Sequence, residues 1–563
     1  MNKNIISLSL VIIMTLFSSI PTFAESLEGT AIEDEEPKLT FNVLSDTHIR
    51  DSSFSTNKFL AALQDIREIN PTSDALIING DMTNKGYPEE YEKVRNLLEL
   101  SPTSENTYFA LGNHEFHNEE GNEINIERFK KFVNEEEVYF EKRLKGYSFI
   151  FLGSESWGPV GTPTKDAAVL SEKQLKWLEN TLKMRSKDKK PIFVYLHQPL
   201  PDTFGEGPML IQHKELEKIL SKYPQAILFS GHTHQDMKKP QPNMTEKKGF
   251  PVINTASTYN TTNWPDSNWD ESQGLYVEVY DKKVEIKGRD FNRNQWIPET
   301  HYTIDLSSAS TFSFGEQYLF PGQANIITST FTNYGKKQIK NLEIGLNVPE
   351  GWTVKAVSKT NISQLSPGES FDIEWQLTLP SNADQGFIPL DTIASYKFEG
   401  KQHELSTKPL VRVVSTPPTA NSYLSDMGWT DATNHWGPVE RDQSVGDKEL
   451  NDGNTLTIGG IKYEKGLGTH AISDVTYYLG GKFSTFTADI GIDDEVGNRG
   501  SVVFQVWGDG EKVYESGKVT GSDIAKNVKV DISGVNQLRL YVTDANDGRT
   551  HDHADWADAY IFK

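Results

Sequence analysis

Five short polar segments of this sequence carry side chains that could bind metal ions. The segments are Asp46-Thr47-His48, Gly80-Asp81, Gly112-Asn113-His114-Glu115, His197 and Gly231-His232-Thr233-His234. Each follows an apolar run typical of a buried parallel strand, and these runs are Phe41–Leu44, Ala75–Ile78, Tyr108–Leu111, Ile192–Leu196 and Ala226–Phe229. Because ligands of α/β sheets bind outside the carboxyl ends of the strands, we expect the five segments to meet at one edge. Their carboxylate, amide and imidazole groups suit borderline-to-hard divalent metals.

In this order the five segments resemble the motifs of the calcineurin-like metallophosphoesterases, and the resemblance extends over residues 38–305. It implies an α/β fold of two sheets that form a sandwich flanked by helices. It also implies two divalent metal ions, and the mixed oxygen and nitrogen ligands leave manganese, iron and zinc as open alternatives. The implied activity is hydrolysis of a phosphomonoester or a phosphodiester by a metal-bound hydroxide.

The resemblance also assigns roles to individual residues. One metal would be held by Asp46, His48, Asp81 and His234, and the other by Asp81, Asn113, His197 and His232. Asp81 would bridge the two ions, since a carboxylate has lone pairs on two oxygens. His114 would stabilise the transition state or protonate the leaving group, with an orienting contact to a ligand as the alternative. Asn84 and His117 lie near ligands in the sequence, so each is a candidate either for substrate binding or for supporting a ligand.

Two amphipathic helices are predicted in this region. The first covers Thr56–Ile69 with its apolar residues facing inward. The second covers Ser171–Met184, where Ser171 and Gln174 have the spacing of a capping box. After His234 the pattern changes to strands, and a second sheet is predicted from Val252–Asn254, Leu275–Val279 and Val284–Lys287.

The rest of the chain shows strand patterns and turn signals only. Residues 318–413 resemble the immunoglobulin-like NEW3 domain, through Leu319-Phe320-Pro321-Gly322, Val348-Pro349-Glu350-Gly351-Trp352 and Leu365-Ser366-Pro367-Gly368-Glu369. Residues 423–559 resemble the NPCBM carbohydrate-binding module, through segments that include Gly466-Leu467-Gly468-Thr469-His470-Ala471 and Asp552-His553-Ala554-Asp555-Trp556. The two resemblances imply two all-β sandwich domains after the α/β domain. The predicted domains are 38–305, 306–415 and 416–563, after a signal peptide at 1–24 and an acidic linker at 25–37.

The last domain contains aromatic and acidic residues that could bind ligands. The candidate sugar contacts are Trp429, His435, Trp436, His470 and Trp507, because sugars stack on aromatic rings beside polar groups. Any single tryptophan could instead belong to the hydrophobic core. The acidic residues Asp493, Asp494, Asp552 and Asp555 could coordinate calcium through their oxygens, with solvated acidic loops as the alternative.

Composition restricts the partners and the cellular location. The formal net charge of −23 argues against binding to nucleic acid or to an anionic membrane surface. Lys3, the apolar run Ile5–Phe17 and the small residue Ala24 predict a cleaved secretory signal, and no transmembrane segment is expected in the mature chain. The sequence contains no cysteine, so disulfides cannot contribute to stability. We therefore expect a secreted, extracellular bacterial protein.

Together these features predict a secreted phosphoesterase that its last domain targets to glycans, galactose-containing ones being the first to test. The alternative is a surface glycan-binding protein, or adhesin, whose phosphoesterase fold is inactive. A glycoside hydrolase is a weaker alternative, because no pair of carboxylates in residues 38–305 is identifiable as its acid and nucleophile. The phosphoesterase branch stays open. The stretch from Gly80 to Gly86 resembles cyclic-nucleotide phosphodiesterases, whereas Glu115 after Asn113-His114 resembles nucleotidases and acid phosphatases.

Overall fold

The computed structural model describes residues 36–118, 120–158, 165–205, 209–238, 243–263, 266–268, 271–315, 318–447, 449–545 and 547–563. The predicted signal peptide, and all of the acidic linker up to residue 35, lie outside these described residues. Within them, no helix has both the length and the apolar character needed to cross a membrane.

The region up to Asp305 combines helices and strands. Its helices are α1 (Ser53–Ile69), α2 (Pro88–Leu100), α3 (Asn122–Val133), α4 (Glu172–Arg185) and α5 (His213–Leu220). Its strands are β1 (Leu39–Leu44), β2 (Ala75–Asn79), β3 (Thr107–Ala110), β4 (Phe140–Leu144), β5 (Tyr147–Phe151), β6 (Ile192–Tyr195), β7 (Ala226–Ser230), β8 (Met244–Thr245), β9 (Val252–Asn254), β10 (Thr261–Asn263), β11 (Asp266–Asn268), β12 (Gln273–Val279), β13 (Lys283–Asp290) and β14 (Gln295–Asp305). Single 3-10 turns lie at His114–Phe116 and Ser186–Asp188.

The described residues after Asp305 form strands and short 3-10 turns. The strands up to residue 413 are β15 (Ser310–Phe314), β16 (Tyr318–Leu319), β17 (Ala324–Asn333), β18 (Ile339–Asn347), β19 (Thr353–Ala356), β20 (Asn361–Leu365), β21 (Ser370–Thr378), β22 (Gly386–Pro389), β23 (Asp391–Phe398), β24 (Lys401–Thr407) and β25 (Leu410–Val413). Those that follow are β26 (Ser422–Tyr423), β27 (Asp431–Asn434), β28 (Glu440–Arg441), β29 (Thr457–Ile458), β30 (Ile461–Lys462), β31 (Gly466–His470), β32 (Ser473–Tyr478), β33 (Thr485–Ile492), β34 (Ser501–Gly508), β35 (Glu511–Thr520), β36 (Lys526–Asp531), β37 (Gln537–Thr543) and β38 (His553–Phe562).

The five strands that precede the polar segments belong to two different sheets. Parallel strands β1, β2 and β3 end a ten-stranded sheet in the order β19-β21-β17-β15-β14-β13-β12-β1-β2-β3. Parallel strands β5, β6, β7 and β9 lie in a six-stranded sheet in the order β4-β5-β6-β7-β9-β8. The prediction that Val252–Asn254 shares a sheet with β12 and β13 is therefore wrong, because this strand pairs with β7. The other two strands of the predicted second sheet, β12 and β13, do pair with each other, as an antiparallel hairpin.

Aromatic side chains fill the space between these two sheets. The ring of Phe41 on β1 lies 5.2 Å from that of Phe149 on β5 and 4.8 Å from that of Phe193 on β6, both edge-on. All three side chains are fully buried. Each buried aromatic side chain of this size stabilises the fold by about 1.5–3 kcal/mol, and edge-on pairs add to this. This core holds the carboxyl ends of both sets of strands next to each other.

The helices largely agree with the amphipathic patterns. Helix α1 buries Phe59, Leu63 and Ile66, as predicted. At α4 the Ser171 hydroxyl accepts a hydrogen bond of 3.1 Å from the Gln174 amide, which is one half of the predicted capping box. The other half is absent, because Gln174 Oε1 accepts from the amide of Gly153 at 3.2 Å and the Ser171 amide donates to Glu155 instead.

Hydrogen-bonded strands cross the predicted boundary between residues 305 and 306. Strand β15 pairs antiparallel with β14 on one side and with β17 on the other, so the ten-stranded sheet continues into the NEW3-like region. A second sheet of that region has the order β20-β18-β23-β24. The last region has a six-stranded and a five-stranded sheet around its own hydrophobic core, in which Trp556 is fully buried.

A buried arginine joins the last region to the first. The guanidinium of Arg293 contacts Glu271 at 2.8 Å and Asp290 at 3.0 Å within the first region. It also contacts Asp431 at 2.8 Å and Asp474 in the last region. Its side chain is only 7% exposed. A guanidinium that has lost most of its water is stabilised by all four of the carboxylates around it. Because two of these carboxylates belong to the first region and two to the last, the contact fixes the last region against the first.

Replacing Arg293 by leucine is expected to lower the free energy of unfolding by roughly 3–5 kcal/mol, because four clustered carboxylates lose the cation that they share and keep only Lys238 and Arg539. Denaturant unfolding of the full chain measures the loss. Arg143→Leu is the matched control: Arg143 is 36% exposed, 3.3 Å from Asp188, and such surface pairs contribute about 0–1 kcal/mol. Equal losses in the two variants would contradict the importance of the buried contact.

Candidate metal centre

The seven predicted metal ligands converge at the carboxyl ends of strands from both sheets. Asp46 and His48 follow β1, Asp81 follows β2 and Asn113 follows β3. His197 follows β6, and His232 and His234 follow β7. In the described parts of the chain, three groups of His and Asp side chains place ligand atoms within 4.8 Å of one another. The groups are Asp46–His48–His234, Asp81–His197–His232 and His48–Asp81–His114. The first two groups correspond to the two ion sites that the sequence predicts.

The backbone at this edge is strained. Asp46, His48, Asp81, His232 and His234 all have φ between 44° and 69°, the left-handed region that L side chains rarely adopt. Such conformations cost about 1–3 kcal/mol each and cluster at functional sites. Neither sheet pairing nor helix geometry requires these left-handed conformations. They turn the five side chains toward one another at a cost in the stability of the fold.

Glycines before the ligands allow close packing. A Cβ on Gly112 would lie 2.1 Å from the carboxylate of Asp81, and one on Gly231 would lie 2.6 Å from that of Asp46. Their φ angles are not positive, so a glycine is needed at these two positions for space. At position 80 a glycine is needed for its φ of 87° and also for space, because a built Cβ would lie 2.5 Å from the His197 ring. Substitution at any of the three would push a ligand out of place.

The histidines are oriented through one ring nitrogen, which leaves the other for a ligand. His197 Nδ1 lies 2.8 Å from the carbonyl of Asn79, and His234 Nδ1 lies 2.9 Å from that of Asn260. These contacts fix the tautomer and direct Nε2 into the site. His197 Nε2 then lies 3.1 Å from Asp81 Oδ2, and His234 Nε2 lies 3.1 Å from Asp46 Oδ1. His232 is turned the other way, with Nδ1 2.9 Å from Asn113 Oδ1.

Electrostatics keeps the carboxylates of the site charged. Burial alone would raise the pKa of Asp46, but His197 and His234 hold it at about 2. Burial would lower the pKa of His197, but Asp81 and Asp46 outweigh it and raise the pKa to about 10. Burial, followed by the charge of His197, lowers the pKa of His232 to about 4. Anionic oxygens therefore face imidazoles throughout the cluster.

The residues present fit two divalent metal ions. Asp46 Oδ1 and His197 Nε2 are buried, and their contacts of 3.1 Å with His234 Nε2 and Asp81 Oδ2 are not well-aligned hydrogen bonds, which is costly for polar atoms unless a cation takes them up. His48 Nε2 and His234 Nε2 face each other at 3.1 Å, although two ring nitrogens of neutral histidines gain little from such a contact. One ion held by Asp46, His48 and His234 and a second held by His197 would account for all four atoms. The oxygen and nitrogen donor set suits borderline metals.

His114 and His117 line the open side of this cluster. His114 Nε2 lies 4.0 Å from Asp81 Oδ2, and its side chain is 28% exposed, so it can reach both the ligands and a bound molecule. Its Nδ1 contacts the carbonyl of Asn84 at 2.8 Å. The His117 ring packs on the His114 ring at 4.0 Å and its Nε2 contacts Asp166 at 2.7 Å. Asp166 was not predicted, because it lies far from the motifs in sequence.

Arg50 and Tyr259 are further residues that the motifs did not indicate. Arg50 donates to Asn84 Oδ1 at 3.3 Å and to the hydroxyl of Tyr259. The Tyr259 ring lies 5.3 Å from that of His48. A guanidinium is thus held at the rim of the cluster, two residues after His48 in the sequence. The spacing could have indicated Arg50 as a candidate, but Tyr259 is brought in only by folding.

Glu115 holds the loop of the proposed bridging ligand in place. One carboxylate oxygen accepts from the amide of Asp81 at 3.1 Å and from that of Gly112 at 2.9 Å. The other accepts from the amide and the hydroxyl of Thr83, both at 2.9 Å. Burial, then the charge of Asp81, raises the pKa of Glu115 to about 7, whereas the Thr83 donors lower it. Glu115 is a positioning residue for Asp81.

Glu115→Gln is expected to weaken divalent-metal binding by about 10–100-fold, the usual effect of removing a partner that orients a ligand. In either orientation the amide would place an NH₂ group against N–H donors. Metal titration followed by calorimetry measures the change, and Glu123→Gln, on the exposed face of α3, is the control. Unchanged metal affinity in Glu115→Gln would show that Glu115 does not position Asp81.

The candidate sugar contacts of the last region lie in different surroundings. Trp436 is 42% exposed, and the Asn434 side chain links it to His470 by donating to the Trp436 carbonyl at 2.8 Å and accepting from the His470 amide at 2.7 Å. Trp429 is instead covered by Arg441, whose guanidinium carbon lies 3.8 Å from the ring centroid. Trp436 and His470 therefore come together, whereas Trp429 has a packing contact.

The four candidate calcium ligands do not form one cluster of carboxylates. Asp493, Asp494 and Asp552 each accept hydrogen bonds from backbone amides, including those of Thr457, Gly459 and Ser501. Asp555 is fully buried, and neither of its carboxylate oxygens has a partner. Among the described residues, no metal-sized group of three includes an acidic residue of this region. Calcium binding stays a prediction.

Three protein families match consecutive segments of the chain. The calcineurin-like phosphoesterase family matches residues 39–236, the NPCBM-associated NEW3 domain of alpha-galactosidase matches 319–397, and the NPCBM/NEW2 domain matches 420–561.

Three curated relatives are similar to parts of the chain. A "Putative endo-alpha-N-acetylgalactosaminidase" of Renibacterium salmoninarum is 36% identical over 267 residues, 46% of this chain and 17% of that protein. A 3′,5′-cyclic-nucleotide phosphodiesterase of Nostoc sp. is 27% identical over 34% of this chain and 66% of its own length. A "Probable glycerophosphodiester phosphodiesterase" of Arcobacter nitrofigilis is 28% identical over 34% and 70%. The chain thus spans less than two thirds of the first two relatives. The three family matches follow one another along the chain in the order that the motifs predicted.

Proposed function

We propose that this protein is a secreted, metal-dependent phosphodiesterase that its NPCBM domain holds on glycans. The single observation that carries the proposal is the convergence of seven ligand side chains on two adjacent groups, Asp46–His48–His234 and Asp81–His197–His232 with Asn113 beside them. The rival adhesin with an inactive fold is not favoured, because a binding protein has no use for buried, unpartnered ligand atoms at this edge.

The side chains divide the chemical work between them. Two divalent ions bound there would supply Lewis acidity and lower the pKa of water for attack on phosphorus. Asp81 would hold both ions, and its carboxylate is fixed by the amide of His114, 2.8 Å from Oδ1. His114 is directed by the carbonyl of Asn84, so its Nε2 is available to stabilise or protonate the leaving oxygen.

Recognition of the ester is assigned to the rim. Arg50 is the cation placed to pair with a phosphate oxygen, since guanidinium groups match phosphate geometry. Asn84 and Tyr259 hold its side chain in place. His117, anchored by Asp166, lies on the opposite side of His114 and would contact the leaving group or its substituent. The diester preference is supported by the two phosphodiesterase relatives.

The glycan tether is proposed from the NPCBM match and from the exposed Trp436, which Asn434 links to the buried His470. An aromatic face beside polar groups is a common way to bind a sugar. An extracellular location follows from the same match, since glycan surfaces lie outside cells, and from the predicted signal peptide. The physiological substrate would then be a phosphodiester in or near a glycan surface.

Hydrolysis of bis-p-nitrophenyl phosphate and p-nitrophenyl phosphate tests the activity directly. Protein loaded with manganese, zinc or iron is expected to cleave the diester faster than the monoester, and chelation is expected to abolish both reactions. Protein that binds these metals but cleaves neither compound would favour the adhesin instead. Faster cleavage of the monoester would overturn the diester preference alone.

Arg50→Met is expected to raise KM for the diester by about 10–100-fold with a smaller change in kcat, because a hydrogen bond to a charged group contributes roughly 1.5–3 kcal/mol. Steady-state kinetics of the metal-loaded protein separate the two constants. Arg67→Met makes the same chemical change on the exposed face of α1 and is expected to have no effect. A fall in bound metal in Arg50→Met would show that Arg50 supports the ligands instead.

A further inference from the structure

Trp507 lies away from the other candidate sugar contacts. It is near the end of β34, whose first residue, Ser501, donates its amide to Asp552 at 2.9 Å. His470 pairs with His553 on β38, and His553 directly follows Asp552, so His470 lies near Ser501 at the start of β34. Six residues of extended strand separate Ser501 from Trp507, about 20 Å. Trp507 is therefore at the opposite end of the sandwich from Trp436 and His470.

At that opposite end, a cavity of about 780 Å³ opens where the three regions of the chain meet. We call it the junction cavity, and define it by Trp296 and Glu299 of the first region, Phe320 and Ile326 of the second, and Trp507 and Asn536 of the third. Small-molecule sites have volumes of about 300–1,000 Å³ and occur preferentially between domains. The junction cavity is of that size and in that place.

Aromatic rings from all three regions line the junction cavity. Tyr318, Phe320 and Tyr478 pack together, with both other rings 5.0 Å from that of Tyr478, and so join the second region to the third. Trp296 and Trp507 stand apart from this group and come from the first and third regions. Trp507 is only 7% exposed and Arg539 lies 5.6 Å from its ring centroid, so it contributes a small part of the wall, and the half-buried Trp296 provides the indole on which a sugar ring can stack.

Polar groups in the junction cavity are held in place by the protein. The side-chain amide of Gln537 donates to the Tyr318 hydroxyl at 2.7 Å. Asp509 accepts from the amides of Asn536 and Gln537 at 2.8–3.1 Å. Arg293 and its carboxylates belong to the lining as well, and their buried network fixes the domains around it. A preformed site of this kind loses little entropy on binding.

The charges of the lining argue against an anionic ligand. Six Asp or Glu residues line the junction cavity, against four Lys or Arg. Two of the four, Arg293 and Arg539, already contact Asp474. An anionic ligand would meet a net negative wall, whereas hydroxyl groups can both donate to carboxylates and accept from amides.

We propose that the junction cavity is a second carbohydrate site, which binds a neutral glycan against Trp296. It is separate from the exposed site at Trp436 and His470, and independent of the metal centre. It needs all three regions, so it exists only in the docked full chain. The chain would then hold two segments of a glycan, one at each end of its last domain.

The test uses full-length protein in which Trp436→Ala and His470→Ala disable the exposed site, on an array of neutral glycans. We expect binding to remain, and to weaken by at least about 30-fold when Trp296→Ala is added, as for other central tryptophans of binding sites. Ile326→Trp, at a 54% exposed position, fills the cavity without removing a buried side chain and should block the same glycans.

Two results would overturn the proposal. One is loss of all neutral-glycan binding in the double variant, and the other is residual binding that neither Trp296→Ala nor Ile326→Trp reduces. Circular dichroism and thermal melting of each variant separate loss of binding from loss of folding. Metal-dependent cleavage of bis-p-nitrophenyl phosphate, measured in parallel on the unmutated chain, tests the proposed function separately.

Discussion

Replacing Asp81 by alanine is expected to abolish phosphoester hydrolysis and to release bound metal. Asp81 lies against both ligand groups: its Oδ2 lies 3.1 Å from His197 Nε2, and its carboxylate lies within 4.8 Å of a ring nitrogen of His48. Removing both oxygens takes away the ligand that two ions would share and leaves buried imidazoles without their anion. We therefore expect activity at the level of the background reaction, the largest loss at any single position.

Two measurements check this expectation. Metal analysis after dialysis should show less divalent metal in Asp81→Ala than in the unmutated chain. Metal should also no longer raise the melting temperature, since only an ion that binds the folded state stabilises it. Asp188→Ala, at a 43% exposed carboxylate, is the matched control. Full activity in Asp81→Ala would exclude the two-metal mechanism.

His114→Ala is expected to lower kcat by about 10²–10⁴-fold, the usual size of a general acid–base contribution, while metal content stays the same. His114 is fixed through Nδ1 by the carbonyl of Asn84 and is partly exposed, which suits contact with a substrate. The proposed ligands are less exposed: Asp46, Asp81 and His197 are almost completely enclosed, and the His234 side chain is 15% exposed. This difference in exposure is the reason for giving His114 a chemical role.

Diesters with leaving groups of different acidity distinguish the possible roles of His114. If it protonates the leaving oxygen, the loss of kcat should be smaller for p-nitrophenol than for a poorly leaving alcohol. His213→Ala, at a 30% exposed histidine on α5, is the control. Loss of metal from His114→Ala would instead make it a ligand or a ligand support.

Strands were easier to predict from the sequence than the sheets they form. The five apolar runs match β1, β2, β3, β6 and β7 to within two residues at each end, because strands buried on both faces need continuous apolar side chains. Assignment to sheets depends on pairing between distant segments, which local pattern does not contain. Val252–Asn254 illustrates this: its pattern fits either sheet, and only its pairing with β7 decides.

The same division holds for the candidate metal centre. Its seven proposed ligands follow strands at short spacings, so sequence motifs could predict that they meet. Tyr259, which holds Arg50 from 209 residues away, and Asp166, which holds His117 from 49 residues away, depend on tertiary contacts. Glu115 is part of a sequence motif, but its role in positioning Asp81 follows only from the four hydrogen bonds that it accepts from two loops.

Tryptophans in the last region show a further limit. Trp429, Trp436 and Trp507 all carry an aromatic face that could bind sugar, and composition does not separate them. In the structure Arg441 covers the first, solvent surrounds much of the second, and the third lines a cavity. Their surroundings arise from loops and domain contacts, so only the folded chain distinguishes a packing role from a surface role.

The ten-stranded sheet that crosses residues 305 and 306 affects how the chain can be divided. Proteases and domain exchange act at exposed linkers, and paired strands β14 and β15 do not provide one. A chain that ended at Asp305 would leave β14 with an open edge of unpaired amides and carbonyls, and such edges promote aggregation. Poor solubility of a phosphoesterase fragment cut there would therefore reflect an exposed strand, and a fragment without a new edge must extend through β21, so that β19 remains the edge of this sheet.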